Sequence, residues 1–167
     1  MAEQFPRAGF FKRIVAMVYD WLAVIALMML ATVVALIAIN ILNSYGLVTI
    51  PSGMEPSSYL NQSWWFQIVL LLVVWLFYGW FWYDGGQTLG MRAWRLMLIS
   101  ADESPLTLKR TMLRALYSIL GLGNLLVLLQ PSKKLSLQDR LTATQVVVLS
   151  KDANKKVYLR GIEDPNR

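Results

Sequence analysis

The sequence contains no cysteine and no histidine. Disulfides, thiol nucleophiles and thiolate zinc sites are thereby excluded, and so are His-ligated haem and a histidine proton relay. Any acid–base or ion chemistry has to run through Asp, Glu, Lys, Arg or Tyr. No nucleophile–base pair and no cluster of metal-ligand type is visible, so we expect neither an enzyme nor a metal or cofactor. Charge is absent from two long runs, 21–39 and 64–83. Basic residues are absent from the stretch between them, 43–63.

What is present fits a lipid environment. Hydrophobic residues make up 56% of the chain and the mean hydropathy is +0.47, with seven Trp and seven Tyr. Such rings collect at water–lipid interfaces. A net charge of +6 would suggest nucleic-acid affinity in a soluble domain. Here the cations flank apolar runs, so membrane topology explains them and no nucleic-acid partner is expected.

One domain spanning 1–167 accounts for the length. Residues 1–12 form a short polar N-terminal segment. Span one is expected over 14–42; it is longer than a signal-peptide core and is followed by no small-x-small cleavage site. Residues 43–63 read as a loop, with Gly46, Pro51, Gly53 and Pro56 and a single charge, Glu55. Span two covers 64–83. Trp64 and Trp65 mark one end of it, and Tyr78, Trp80, Trp82 and Tyr83 are expected as an aromatic belt at the other.

The segment 84–111 opens with Asp84 and Gly85-Gly86. Residues 94–100 read as a short strand or a helix end, and 144–150 as a β-branched strand. Each would leave backbone groups unpaired alone, so the two are expected to form a small β-ribbon. Ser104-Pro105 suggests the N-terminus of an amphipathic helix, with Arg110 and Arg114 on one face and Leu108, Met112, Leu116 and Ile119 on another. The uncharged run 115–130 is broken by Gly121-Leu-Gly123-Asn124 and falls short of the roughly 20 residues of a straight crossing. From Lys151 the tail is charged and reads as loose.

Lys and Arg placement sets the orientation. Arg7, Lys12 and Arg13 precede span one, and Arg92, Arg95, Lys109 and Arg110 follow span two. The N-terminus and 84–111 are therefore expected on the cytoplasmic side, with 43–63 outside. A third full crossing at 112–130 would export the basic tail, 131–167, so this segment is expected to be re-entrant or interfacial. The fold class expected is an all-α integral membrane protein with two transmembrane helices, that third segment and a small cytoplasmic β-ribbon. Lipid bilayer is the partner, with anionic headgroups at Lys133-Lys134.

One group stands at an expensive place. Asp20 lies inside span one, and Arg13 precedes it by two helical turns, about 10 Å of rise on the same face. Ala16, Ala23, Ala31 and Ala38 extend that face and allow a close neighbour. Two readings stay open: a cation- or proton-binding carboxylate, or a structural ion pair.

Four motifs in order resemble a known family. Arg13 opens the first helix and Asp20 follows seven residues on. Gly86-Gln-Thr88-Leu-Gly90 follows the second helix, and Leu137-Gln-Asp139-Arg-Leu141 is followed by Thr144-Gln-Val146. Together they resemble the RDD family of small bacterial inner-membrane proteins, named for one Arg and two Asp, over roughly 13–149. Two departures are visible: Met91 where the family commonly has Lys, and Ala143 where a Gly usually precedes the Thr. The second implies that a tight turn is not required there. The resemblance implies a multi-pass inner-membrane location. It further implies transport of some ligand, including cation/proton exchange, as proposed for certain members.

The expected site is one polar cluster of Arg13, Asp20 and Asp139, with Asp84, Arg92 and Thr88 as further contributors. Two functions are open. In one, the cluster takes part in transport of an ion or small solute; two spans are too few to enclose a path, so a homo-oligomer or a partner membrane protein is implied. In the other, the cluster is structural and the chain is a non-transporting scaffold or assembly subunit.

Overall fold

The computed structural model describes residues 5–102, 104–130 and 132–163. Positions 1–4, Glu103, Pro131 and 164–167 lie outside the described residues, so the expected N-terminal segment, 1–12, and the tail, 131–167, are described only in part.

Helix α1 runs Phe10–Ser44, 35 residues with neither glycine nor proline. At 1.5 Å per residue it is about 52 Å long, more than the roughly 30 Å of a hydrocarbon core. Gly46, at φ +70°, turns the chain after it. The following stretch is not wholly irregular, because Pro56 starts a short helix, α2 (Pro56–Gln62). Ser63 then caps both α2 and α3 (Trp64–Gly85), and Gly86 closes α3 in the left-handed conformation at φ 66°. Both α1 and α3 are long and apolar enough to cross a membrane. Leu60 of α2 joins Ile39 and Phe66 in a small core where α1 ends and α3 begins. The pair is thus a helical hairpin, and the remaining elements gather at its open end.

That end is organised around the expected ribbon. β1 (Leu96–Ser100) and β2 (Thr144–Val148) pair antiparallel, from Leu96 opposite Val148 to Ser100 opposite Thr144. The N-terminal segment is more than a polar leader. Ala8 N donates to Val146 O at 2.8 Å and Val148 N to Pro6 O at 2.9 Å, which satisfies the outer edge of β2. Ala8, Ala16, Trp82, Met91, Leu96, Leu98 and Val146 form the core beneath the sheet. Trp82 therefore departs from the expected belt: it is buried and donates to Met91 Sδ, whereas Trp80 and Tyr83 are exposed.

Helix α4 (Leu89–Ala93) links α3 to β1. Helix α5 (Leu108–Tyr117) starts at Thr107, whose hydroxyl accepts from Arg110 N, rather than at Ser104. Ser104 is instead occupied by Asp102 and Arg110 in the preceding turn. A 3-10 turn over Ile119–Asn124 leads into α6 (Leu125–Leu129). The two arms, Leu108–Tyr117 and Gly121–Leu129, are bent by 88°, so no straight third span forms. Helix α7 (Leu137–Leu141) precedes β2. The tail is ordered where the sequence suggested a loose end: α8 covers Lys151–Glu163. Asn154 anchors it, accepting from Gln87 Nε2 at 3.0 Å and donating to Arg92 O at 3.3 Å.

The structure decides which face of the amphipathic helix points inward. Thr111 and Arg114 are buried, while Leu108, Leu113 and Leu116 are exposed. Polar groups occupy the inside because Asp139 and Thr144 are there to receive Arg114.

Candidate functional site

The expected single cluster divides into two buried centres with separate partners. The first belongs to Asp139. The loop before α7 supplies Ser136 as its N-cap: Ser136 Oγ accepts from Asp139 N, and Ser136 N donates to Asp139 Oδ2 at 2.9 Å, a complete capping box. This fixes the carboxylate between two guanidinia. Arg13 Nη1 lies 2.7 Å from Oδ2 and Arg114 Nη1 lies 2.7 Å from Oδ1. The Asp139 side chain is fully buried, and the two arginine side chains are 4% and 3% exposed.

Arg13 spends the rest of its donors inside the chain. Nε donates to Ala8 O at 3.1 Å, Nη2 to Lys134 O at 3.1 Å, and Nη1 also reaches Ser136 Oγ at 3.3 Å. Arg114 Nη1 donates to Thr144 Oγ1 at 2.6 Å, and its guanidinium carbon sits 5.0 Å over the Trp82 ring. One carboxylate between two guanidinia leaves one positive charge in excess. Burial pushes the Asp139 carboxyl up, but the Arg114 and Arg13 charges and the Ser136 amide outweigh it, so the group ionises below the usual carboxylate range.

The second centre belongs to Asp20, which is 2% exposed. Thr88 Oγ1 donates to Asp20 Oδ2 at 2.6 Å and Gly90 N donates to Oδ1 at 2.8 Å. No ion pair to Asp20 occurs among the described residues. The glycine–threonine motif explains itself here. Gly86 supplies the left-handed turn out of α3. Thr88 caps α4 by accepting from Met91 N while giving its proton to Asp20. Gly90 lies so close to α1 that a Cβ there would stand 2.0 Å from Ala16 O. Small residues at 16 and 90 let the two backbones meet, and Asp20 bridges them. Along the alanine face Ala16 is buried, Ala23 and Ala31 are half-buried, and Ala38 is exposed.

Asp84 is exposed at the end of α3, and Arg92 is half-buried on α4, where its carbonyl holds Asn154. Arg114, Gly90, Ser136 and Thr144 were not among the expected site residues. Arg114 did carry a signal, since it is the cation directly bordering the uncharged run 115–130. Ala143 corrects a second expectation. Its φ is 48°, and its carbonyl accepts from Ala101 N at 2.9 Å, so the tight left-handed turn exists despite the missing glycine.

No curated protein and no solved structure matches the chain. The model of the RDD family matches residues 7–143, a range that contains Arg13, Asp20 and Asp139 and the glycine–threonine motif. With the match covering most of its length, the chain belongs to the RDD family.

Proposed function

We propose that the Arg13–Asp139–Arg114 centre is a structural fastening and that the chain acts as a non-transporting membrane scaffold or assembly subunit. One observation carries this reading. Arg13 directs Nε, Nη1 and Nη2 at acceptors of its own chain, and the carboxylate it faces is fully buried, so little is left to meet a solute. Breaking such a pair costs several kcal/mol, which suits a lock between α1, α5 and α7. A cleft of about 410 Å³ does exist, but it lies at the other end of the hairpin, beside Thr32, Leu60 and Phe66.

A second reading has its own support. Asp20 is a buried carboxylate held by two neutral donors, which is the arrangement from which a proton or cation can be exchanged. Transport of an ion or small solute through it would require an oligomer, since two spans enclose no path.

Asp20→Asn separates the two. In proteoliposomes of the purified protein, the scaffold reading expects no pH-dependent ion flux and an unchanged baseline in the variant. The transport reading expects flux that depends on pH and collapses with Asp20→Asn at equal protein abundance. The same preparations test the arrangement in the membrane. We place the N-terminus and tail on the cytoplasmic face, 43–63 outside and 112–130 as a re-entrant half-span, on the Lys/Arg asymmetry and the 88° bend. Single cysteines at Ser58 and Asn154 in this Cys-free chain should label from opposite sides.

A further inference from the structure

The segment 108–141 is inverted relative to a water-soluble domain. Its interior holds Thr111, Arg114, Asn124, Ser136, Gln138 and Asp139, all buried. Its outside is rich in leucine: Leu116 is 55% exposed, Leu122 62%, Leu129 75% and Leu141 55%, and the exposed cations Lys109, Lys133, Lys134 and Arg140 stand at the ends of the apolar stretch, with Arg140 turned toward Gln130. Leu137 and Leu141 are one turn apart on the outer side of α7, opposite Gln138 and Asp139. Polar inside and apolar outside is the arrangement that hydrocarbon selects, because in water the same residues would be placed the other way round.

The packing sets the depth. Trp75 Nε1 donates to Met112 O at 2.9 Å, and Gly79 receives the Met112 side chain. Trp75 stands ten residues before the end of α3, about 15 Å into a span roughly 33 Å long. Helix α5 therefore lies alongside span two to about its middle. The 3-10 turn lies about 10 Å along α1, since Gly121 packs against Met17, seven residues beyond the helix start. Between α6 and α7 the chain turns at Lys133 and Lys134, both exposed, flanked by exposed Leu128, Leu129 and Leu137. Cations at the lip of an apolar face are complementary to negative headgroups.

We propose that the outer face of α5, α6 and α7 is a lipid-binding surface. It is continuous with the lipid-facing sides of the two spans; α5 and α6 are immersed in the acyl chains of one leaflet, α7 lies along its cytoplasmic edge with Leu137 and Leu141 toward lipid, and Lys133 and Lys134 hold anionic headgroups at the rim. This rests on the half-span arrangement proposed above. It adds which residues meet lipid and which lipid chemistry they select.

Single cysteines at Leu125, Leu129, Leu137 and, as an aqueous reference, Ser150 carry a nitroxide in nanodiscs of phosphatidylcholine and phosphatidylglycerol. The expected result is high oxygen and low nickel-chelate accessibility at 125, 129 and 137, with the reverse at 150. Nickel access at all four positions would overturn the lipid-facing surface. So would dipolar broadening at 129 that vanishes on dilution with unlabelled protein, which would assign the face to a second copy. A bimane at 129 is expected to be quenched several-fold better by brominated phosphatidylglycerol than by brominated phosphatidylcholine. The double variant Lys133→Gln, Lys134→Gln should abolish that preference, since each lysine near an anionic surface is worth about fivefold. Equal quenching by both lipids in the unmodified chain overturns the headgroup selection. The Asn154 label distinguishes failure of the half-span arrangement: labelling from the Ser58 side defeats the half-span, and with it the single-leaflet placement of this face.

Discussion

Arg114 Nη1 stands 2.7 Å from Asp139 Oδ1, as Arg13 Nη1 stands 2.7 Å from Oδ2, so one buried carboxylate is shared by helices α1 and α5. Arg13 enters from the start of α1 and Arg114 from the segment between the two ribbon strands. The contact therefore closes the chain on itself across most of its length. Neither arginine can relax into water without opening the interface between those helices, and this ties the charge chemistry to the fold.

Removing the shared carboxylate should be the most damaging change in the centre. Asp139→Ala leaves two guanidinia facing each other without an anion, and a loss of about 3–5 kcal/mol is expected. Arg13→Ala should follow, because it abandons acceptors at Ala8, Lys134 and Ser136 as well as the ion pair. Arg114→Met should be mildest, since it removes the excess positive charge and keeps an apolar stem against Trp82. Unfolding of the three variants in detergent micelles measures the order, and a reversed ranking contradicts the shared-carboxylate account.

Two glycines facing other helices should respond differently to the same substitution. Gly90→Ala sets a Cβ 2.0 Å from the backbone oxygen of Ala16 and pushes α4 away from Asp20, at a cost on the order of 3 kcal/mol. Gly79→Ala meets the Met112 thioether at 2.3 Å, a flexible side chain that can swing aside, so the effect should be much smaller. Thermal unfolding midpoints of the pair provide the comparison.

Ala143→Gly should stabilise the protein. At φ 48° the alanine Cβ is strained by roughly 1–2 kcal/mol, part of which the greater chain entropy of glycine cancels. A net gain of about 0.5–1 kcal/mol is expected in denaturant unfolding. A loss would mean that the left-handed turn is not retained.

Stability should be nearly flat through neutral pH and fall on the acid side. The chain has no histidine to titrate between pH 5 and 8. Asp139 ionises more readily in the folded state than unfolded, so its contribution is fully present above the unfolded value of about 3.9 and is lost as pH falls through the lower folded value. Asp102 is held below the ordinary carboxylate range by hydrogen bonds from Ser100, Ser104 and Arg110, and acts in the same direction. Unfolding measured from pH 8 to pH 3 should show the loss below about pH 4, and Asp139→Asn should flatten it around a lower plateau.

Much of the architecture was legible before any coordinates. The two long apolar helices were, because about 20 residues without charge are long and apolar enough to cross a membrane, where the backbone must be satisfied within the helix. The ribbon was, because two short β-branched or apolar strands each required a partner. Arg13 and Asp20 stood out because an ionisable group near hydrocarbon is costly wherever it points, whereas Asp139 stood out only through the family resemblance. Only the tertiary structure decided which partner offsets each cost. Asp20 takes a threonine hydroxyl and a glycine amide, groups carried by almost any turn, while Asp139 takes a second arginine, Arg114, which helical spacing grouped with Arg110 without naming a partner for it. Helical periodicity reports that α5 has two faces but not which medium each meets. That choice depends on the distant Asp139 and Thr144 being available to receive Arg114.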